Sequence, residues 1–155
     1  MSLLEEVELL RRVPLFEKIE PAKLKLLAFT SDRIVFAPGD TLFKQGQAGD
    51  AAYFILTGTA EVLVETQNGP LSVATIDEHE IVGEIAILCD VPRTATVRAK
   101  TELVTLRIAK DCFFGLVEEF PQMAVEIMRE LAHRLETTTG RLREAHAQVA
   151  AQPGA

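Results

Sequence analysis

From Arg33 onward the chain is interrupted by turn-forming residues at short intervals, and this punctuation limits the possible fold more than any other feature. Pro38-Gly39, Gly46, Gly49-Asp50, Gly58 and Asn68-Gly69 cut it into runs of roughly four to eight residues, a length that suits strands and not helices. Ile34, Phe36, Leu42, Phe43, Phe54, Ile55, Val62, Val64, Val73 and Ile76 fill those runs with β-favouring side chains. The glycines are read as turn residues that supply positive φ. Short strands at this spacing predict a sandwich or jelly-roll barrel.

Helical patterns flank the strands. Leu3, Leu4, Val7 and Leu10 recur at helical spacing, and Pro21 stands at a favoured first helical position ahead of Leu24, Leu27 and Ala28. Residues 1–32 are therefore an N-terminal helical segment. Strands occupy 33–110, with Thr96 to Lys100 and Leu103 to Ile108 resuming after an insertion at 82–97. Asp111 is placed as the N-cap of a short helix through Glu118, and Pro121 opens a long final helix. Residues 111–150 are thus C-terminal helices, and 151–155 form a tail predicted to be disordered. The expected fold is mainly β with flanking helices: one domain built on an eight-stranded jelly-roll barrel.

The last helix carries a second pattern. Ala124, Met128, Leu131, Leu135, Thr138, Leu142, Ala145 and Val149 alternate steps of four and three, a heptad seam of about three and a half repeats. It predicts a parallel homodimer through this helix. The alternative is a helix whose first half packs on its own barrel while the second half frays.

The insertion carries the chemistry. In GEIAILCDVPRTATV, Glu84 follows Gly83, and Ile85 to Leu88 give a single helical turn whose first N–H groups can face an anion. Arg93 returns from the Pro92 turn with a planar fork of donors. A carboxylate and a guanidinium so placed suit a small ligand with both a sugar hydroxyl and a phosphate.

This segment resembles the phosphate-binding cassette of cyclic-nucleotide-binding domains. Gly83, Glu84, Ile85, Ala86, Leu88 and the run Pro92 to Val97 fit its pattern, while Val82 stands for its phenylalanine and His79-Glu80 replaces a usual glycine. PGDTLFKQG and GDAAYFILTGTAEV resemble the family's early strands. The resemblance implies that Arg93 pairs with phosphate oxygens, assisted by N–H groups of Ala86 and Ala95. It implies that Glu84 accepts from the ribose 2′-hydroxyl and that Gly83 lets the backbone approach the sugar. Thr94 would meet the phosphate or a purine edge, and Val62, Val73, Ala74 and Val82 would form an apolar slot for the base. AHRLETTTGRL resembles the dimer helix of the bacterial catabolite activator, which puts Thr138 and Thr139 near the adenine; ordinary surface threonines are the other reading. The implied ligand is cAMP, with cGMP possible.

Charge and composition exclude several classes. The 155 residues carry 23 acidic against 16 basic side chains, a net charge of −7, so nothing draws the whole chain to nucleic acid or an anionic membrane. An anion site must be made locally. Cys89 and Cys112 are read as small core residues in a reduced compartment. No stretch approaches the roughly 18 apolar residues of a membrane span, and MSLLEEVELLRR lacks the make-up of a secretory signal. The expectation is a cytoplasmic protein. His79, His133 and His146 are too scattered for a cupin-like metal centre, and no nucleophile triad is readable, so no enzyme activity, metal or cofactor is expected. A catabolite-activator-type transcription factor needs a helix-turn-helix after the dimer helix, for which the sequence to Ala155 has no residues. The chain is accordingly expected to be a regulatory sensor acting on an unidentified downstream protein, or else the ligand-binding fragment of such a transcription factor, a channel or a kinase regulator, or a cGMP-preferring sensor.

Overall fold

The computed structural model describes residues 2–13, 16, 17 and 19–150. In the last helix, the side chains of residues 130, 134, 137, 138, 141, 142 and 144–150 lie outside the described residues, as does the tail at 151–155. In chain order the elements are α1 (Leu3–Arg11), α2 (Pro21–Thr30), β1 (Asp32–Phe36), β2 (Thr41–Phe43), β3 (Ala51–Thr57), β4 (Ala60–Thr66), β5 (Gly69–Ile76), β6 (Ile81–Val82), α3 (Glu84–Cys89), β7 (Thr96–Ala99), β8 (Leu103–Ala109), α4 (Lys110–Glu119) and α5 (Pro121–Ala150).

The strands form two four-stranded antiparallel sheets, ordered β1-β8-β3-β6 and β2-β7-β4-β5. These eight strands with flanking helices are the expected jelly roll, in which no ladder among the described residues joins the two sheets. The run AAYFIL of β3 shows how the layers are held. It is buried throughout because its alternating side chains enter different cores. Ala52, Phe54 and Leu56 pack with α1, α2, α4 and the start of α5. Tyr53 and Ile55 point the other way, against Ala60, Val82, Val97 and Leu103 between the sheets. β3 is therefore covered on both faces, and this accounts for a strand that is apolar without alternation.

Local signals explain most element ends. Ser2 caps α1 by accepting from the Glu5 N–H at 3.2 Å, and Pro21 opens α2. Asp111 is not the cap expected of it. β8 runs straight into α4, which starts at Lys110 with Ala109 at the cap, and the Lys110 N–H donates to the Asp50 carbonyl at 2.9 Å. Cys89 is also misplaced by the sequence reading. Cys112 is half-buried, but Cys89 is exposed, because six-residue α3 buries one face only, through Glu84, Ala86 and Ile87.

Met123 and Ile127 of α5 enter the helical core, and Leu131 packs beside them. Met128 and Leu135 stay 60% and 68% exposed on a different face. Of the remaining heptad positions Ala124 is half-buried, while the side chains of Thr138, Leu142, Ala145 and Val149 lie outside the described residues. No helix among the described residues is long and apolar enough to cross a membrane.

Phe54 is fully buried with its ring 4.7 Å from that of Phe16, which joins β3 to the N-terminal helices. Phe54→Ala is expected to remove about 3–5 kcal/mol of stability, measured by urea unfolding, with no change in the slope against denaturant.

Candidate functional site

The insertion between β6 and β7 is fixed at both ends by the backbone. β6 pairs with β3 through Val82 and Tyr53, and the chain then turns at Gly83, whose φ of 89° is left-handed. A side chain there is excluded twice over, by that conformation and by space: a Cβ would lie 2.7 Å from Nη1 of Arg93 and 3.2 Å from the Phe43 ring. Gly49 is needed for a different reason from the turn role assumed for it. Its φ is not in the left-handed range, but a Cβ would sit 2.5 Å from that of Ala86, so glycine lets α3 lie directly against this loop. Beyond α3, Arg93 is latched by its own backbone. Its N–H donates to the Gln47 carbonyl and its carbonyl accepts from Gly46, both at 2.8 Å.

The Arg93 side chain is buried. Nη1 donates to the Gly83 carbonyl at 2.8 Å and Nη2 to the Ala51 carbonyl at 2.7 Å. The guanidinium lies 4.0 Å from the centroid of the Phe43 ring, and Asp50 is its nearest carboxylate at 3.7 Å. Burial pushes its pKa below the usual arginine value, against the opposing pull of Asp50, Tyr53 and Glu84. Arginine still keeps its charge. Nε is buried and donates to no protein group among the described residues. Asp50, exposed at the rim, also accepts from Arg107 at 3.1 Å. Glu84 is itself buried, at 3% exposure, in the first turn of α3.

These two charged residues border a cavity of about 340 Å³, the size of a site for a small molecule. Of the residues expected to form a site, Gly83, Glu84, Ile85, Ala86, Arg93, Thr94, Ala95, Val62, Ala74 and Val82 all line it. Val73 does not. The β4–β5 ladder pairs Val62 with Ala74 and Leu63 with Ser72, which leaves Val73 at a bulge, 46% exposed. Among the described residues of α5, His133 lines it and Thr139 does not; the Thr138 side chain lies outside the described residues.

Phe43, Thr75, Ile76, Glu80, Val97 and His133 also line the cavity without having been picked out from the sequence. Alternation offered a signal for two of them, since Ile76 lies two residues beyond Ala74 and Val97 two beyond Ala95. Nothing in the sequence marked His133. His79, in the turn before β6, has a φ of 68° and so adopts a conformation that favours the glycine it replaces. Chemically, the cavity has a cationic end built on Arg93, a carboxylate beside it, and apolar walls from Val62, Ala74 and Val82.

A family model for the cyclic nucleotide-binding domain matches residues 33–120. Over 108 residues the chain is 36% identical to a cAMP-dependent protein kinase regulatory subunit of Emericella nidulans, covering 70% of this chain and 26% of that one. It is 27% identical over 136 residues to a CRP-like cAMP-activated global transcriptional regulator of Mycobacterium tuberculosis, covering 87% and 61%. The chain thus spans only part of either relative. Among solved structures, a cyclic nucleotide-binding-like protein from Brucella abortus shares 33% identity with a TM-score of 0.63, covering 74% of this chain and 98% of that one.

Gly83→Ala is expected to cost at least about 1–2 kcal/mol for the left-handed backbone alone, with more for the displaced guanidinium. Thermal unfolding measures it, and a melting temperature equal to the wild type's would contradict the packing described.

Proposed function

The chain belongs to the cyclic nucleotide-binding domain family, and on that premise we propose that it is a non-catalytic, cytosolic sensor that binds cAMP in this cavity and reports it through α5. The observation that carries the reading is the state of Arg93. A buried cation whose terminal nitrogens are held by carbonyls, and whose Nε has no acceptor among the described residues, costs free energy that an anion at the cavity can recover. Gly83 and Ala51 aim the guanidinium in advance, so little side-chain ordering remains for the binding step.

The phosphate of the ligand lies against Arg93, with the Ala86 and Ala95 N–H groups within the same lining. Glu84 accepts from the 2′-hydroxyl, which makes a ribose and not a deoxyribose the preferred sugar. Val62, Ala74 and Val82 pack on the base. Thr94 supplies the one hydroxyl next to Arg93 in the cassette, and it is the residue on which a cGMP preference would rest. The exposed pair Met128 and Leu135 supports a homodimer through α5, since a heptad seam left open in one copy is covered by a second. The downstream protein is whatever the moving helix contacts.

Titration calorimetry with cAMP and cGMP is expected to give about micromolar or tighter affinity for cAMP, and Arg93→Ala a loss of at least about a hundredfold. No heat of binding from either nucleotide would overturn the reading. Sedimentation equilibrium tests the dimer: Met128→Glu with Leu135→Glu is expected to shift the wild-type dimer to monomer, and a monomeric wild type would sink it.

A further inference from the structure

The backbone of Arg93 is gripped by the turn that follows β2. Gly46 donates its N–H to the Arg93 carbonyl, and the Arg93 N–H donates to the Gln47 carbonyl. This turn, residues 44–47, is exposed throughout. Two hydrogen bonds shape it from within: the Lys44 N–H donates to Gln47 Oε1 at 2.9 Å, and the Gln47 N–H to the Lys44 carbonyl at 3.1 Å. Two more, both made by Gln45, tie it to the second sheet. The Gln45 N–H donates to the Thr96 hydroxyl at 2.9 Å, and Gln45 Oε1 accepts from the Glu65 N–H at 3.1 Å.

The bond to Glu65 fills a gap in the sheet. β4 and β7 pair from Ala60 opposite Ala99 to Leu63 opposite Thr96. Continued by two residues, that register would put Glu65 opposite Thr94, but Thr94 has left the sheet with the cassette and lines the cavity. A strand that loses its neighbour has a backbone N–H to satisfy elsewhere. The Gln45 amide supplies the acceptor where β7 no longer does. One side chain thus bridges β4, whose Val62 is a wall of the cavity, and the turn that holds Arg93 at its cationic end.

We propose that Gln45 is a positioning residue for the anion-binding end of the cavity: it replaces the rung of sheet that the cassette gives up at Thr94, and so fixes the turn whose backbone sets where Arg93 stands. The proposal rests on the reading of the cavity as a cyclic-nucleotide site. Gln45 is not among the residues lining the cavity, so it acts through the arginine and not on the ligand. A guanidinium that meets a phosphate through a planar fork depends on the placing of its own backbone. Because the effect is felt at the phosphate and not at the base, it is the same for cAMP and cGMP.

The test uses the 155-residue chain and two substitutions at this exposed position. Gln45→Met keeps the length of the side chain and removes the acceptor, whereas Gln45→Glu keeps an oxygen in the same place. Titration calorimetry is run with cAMP and with cGMP at about 0.3 M salt, which screens the added charge. Gln45→Met is expected to bind each nucleotide that the wild type binds about fivefold more weakly, and Gln45→Glu to stay within about twofold of the wild type. Phosphorus NMR of cAMP at full occupancy separates positioning from a general loss of structure. The bound resonance should move in Gln45→Met and return to its wild-type place in Gln45→Glu. Wild-type affinity in Gln45→Met, a loss that Gln45→Glu does not restore, a loss confined to one of two bound nucleotides, or a bound resonance that stays in place overturns the proposal while leaving the cyclic-nucleotide reading intact. Absence of binding by the wild type overturns that reading and the proposal with it.

Discussion

The buried guanidinium of Arg93 is the interaction around which this domain is arranged. Its two terminal nitrogens tie the turn at Gly83 to the start of β3 at Ala51, joining elements far apart in sequence through one side chain. Because carbonyl oxygens and not a carboxylate hold it at short range, the cation is positioned without being fully neutralised. Gly83 and Gly49 are both consequences of that arrangement. One leaves room for the guanidinium, the other lets α3 close against the neighbouring loop.

β3 connects this site to the rest of the molecule. The strand begins beside Arg93, at Ala51, and buries one set of side chains with the helices and the other between the sheets. Asp50, just before it, receives Arg107 through its carboxylate and the first N–H of α4 through its carbonyl. A change in where the cassette sits is therefore applied within a few bonds to the point where the C-terminal helices begin. α3 adds a second tie, since Lys110 lies 3.5 Å from Asp90 at its end. That pair is exposed and contributes little to stability, but it has only to orient, not to hold.

What was legible in the sequence follows from the range of the forces involved. Turns and the succession of short strands were readable because glycine and proline act within two or three residues, and the cassette was readable because its groups lie on one short segment. Pro21 and the positions of Glu84 and Arg93 belong to this class. The failures all depend on contacts made across the fold. Val73 has the composition of a wall residue, but a bulge in the ladder beside it decides which way it faces. Asp111 has the chemistry of a cap, yet β8 continues directly into the helix and leaves no capping position for it. His133 carried no signal at all, since its place at the cavity is set by how α5 docks on the core through Met123 and Ile127.

The short anchorage of α5 has a mechanical consequence. Among the described residues its buried contacts end near Leu131, but the helix continues to Ala150, a span of about 28 Å at the rise of an α-helix. A tilt of about 10° at the anchored turns displaces the far end by about 5 Å, so that an adjustment of side-chain size at His133 becomes a movement of backbone size at the tip. The gain is purely geometric. It requires no refolding of the domain and grows with the length of helix beyond the anchored turns, so the reach of α5, and not the strength of any single contact near the cavity, sets the size of the displacement.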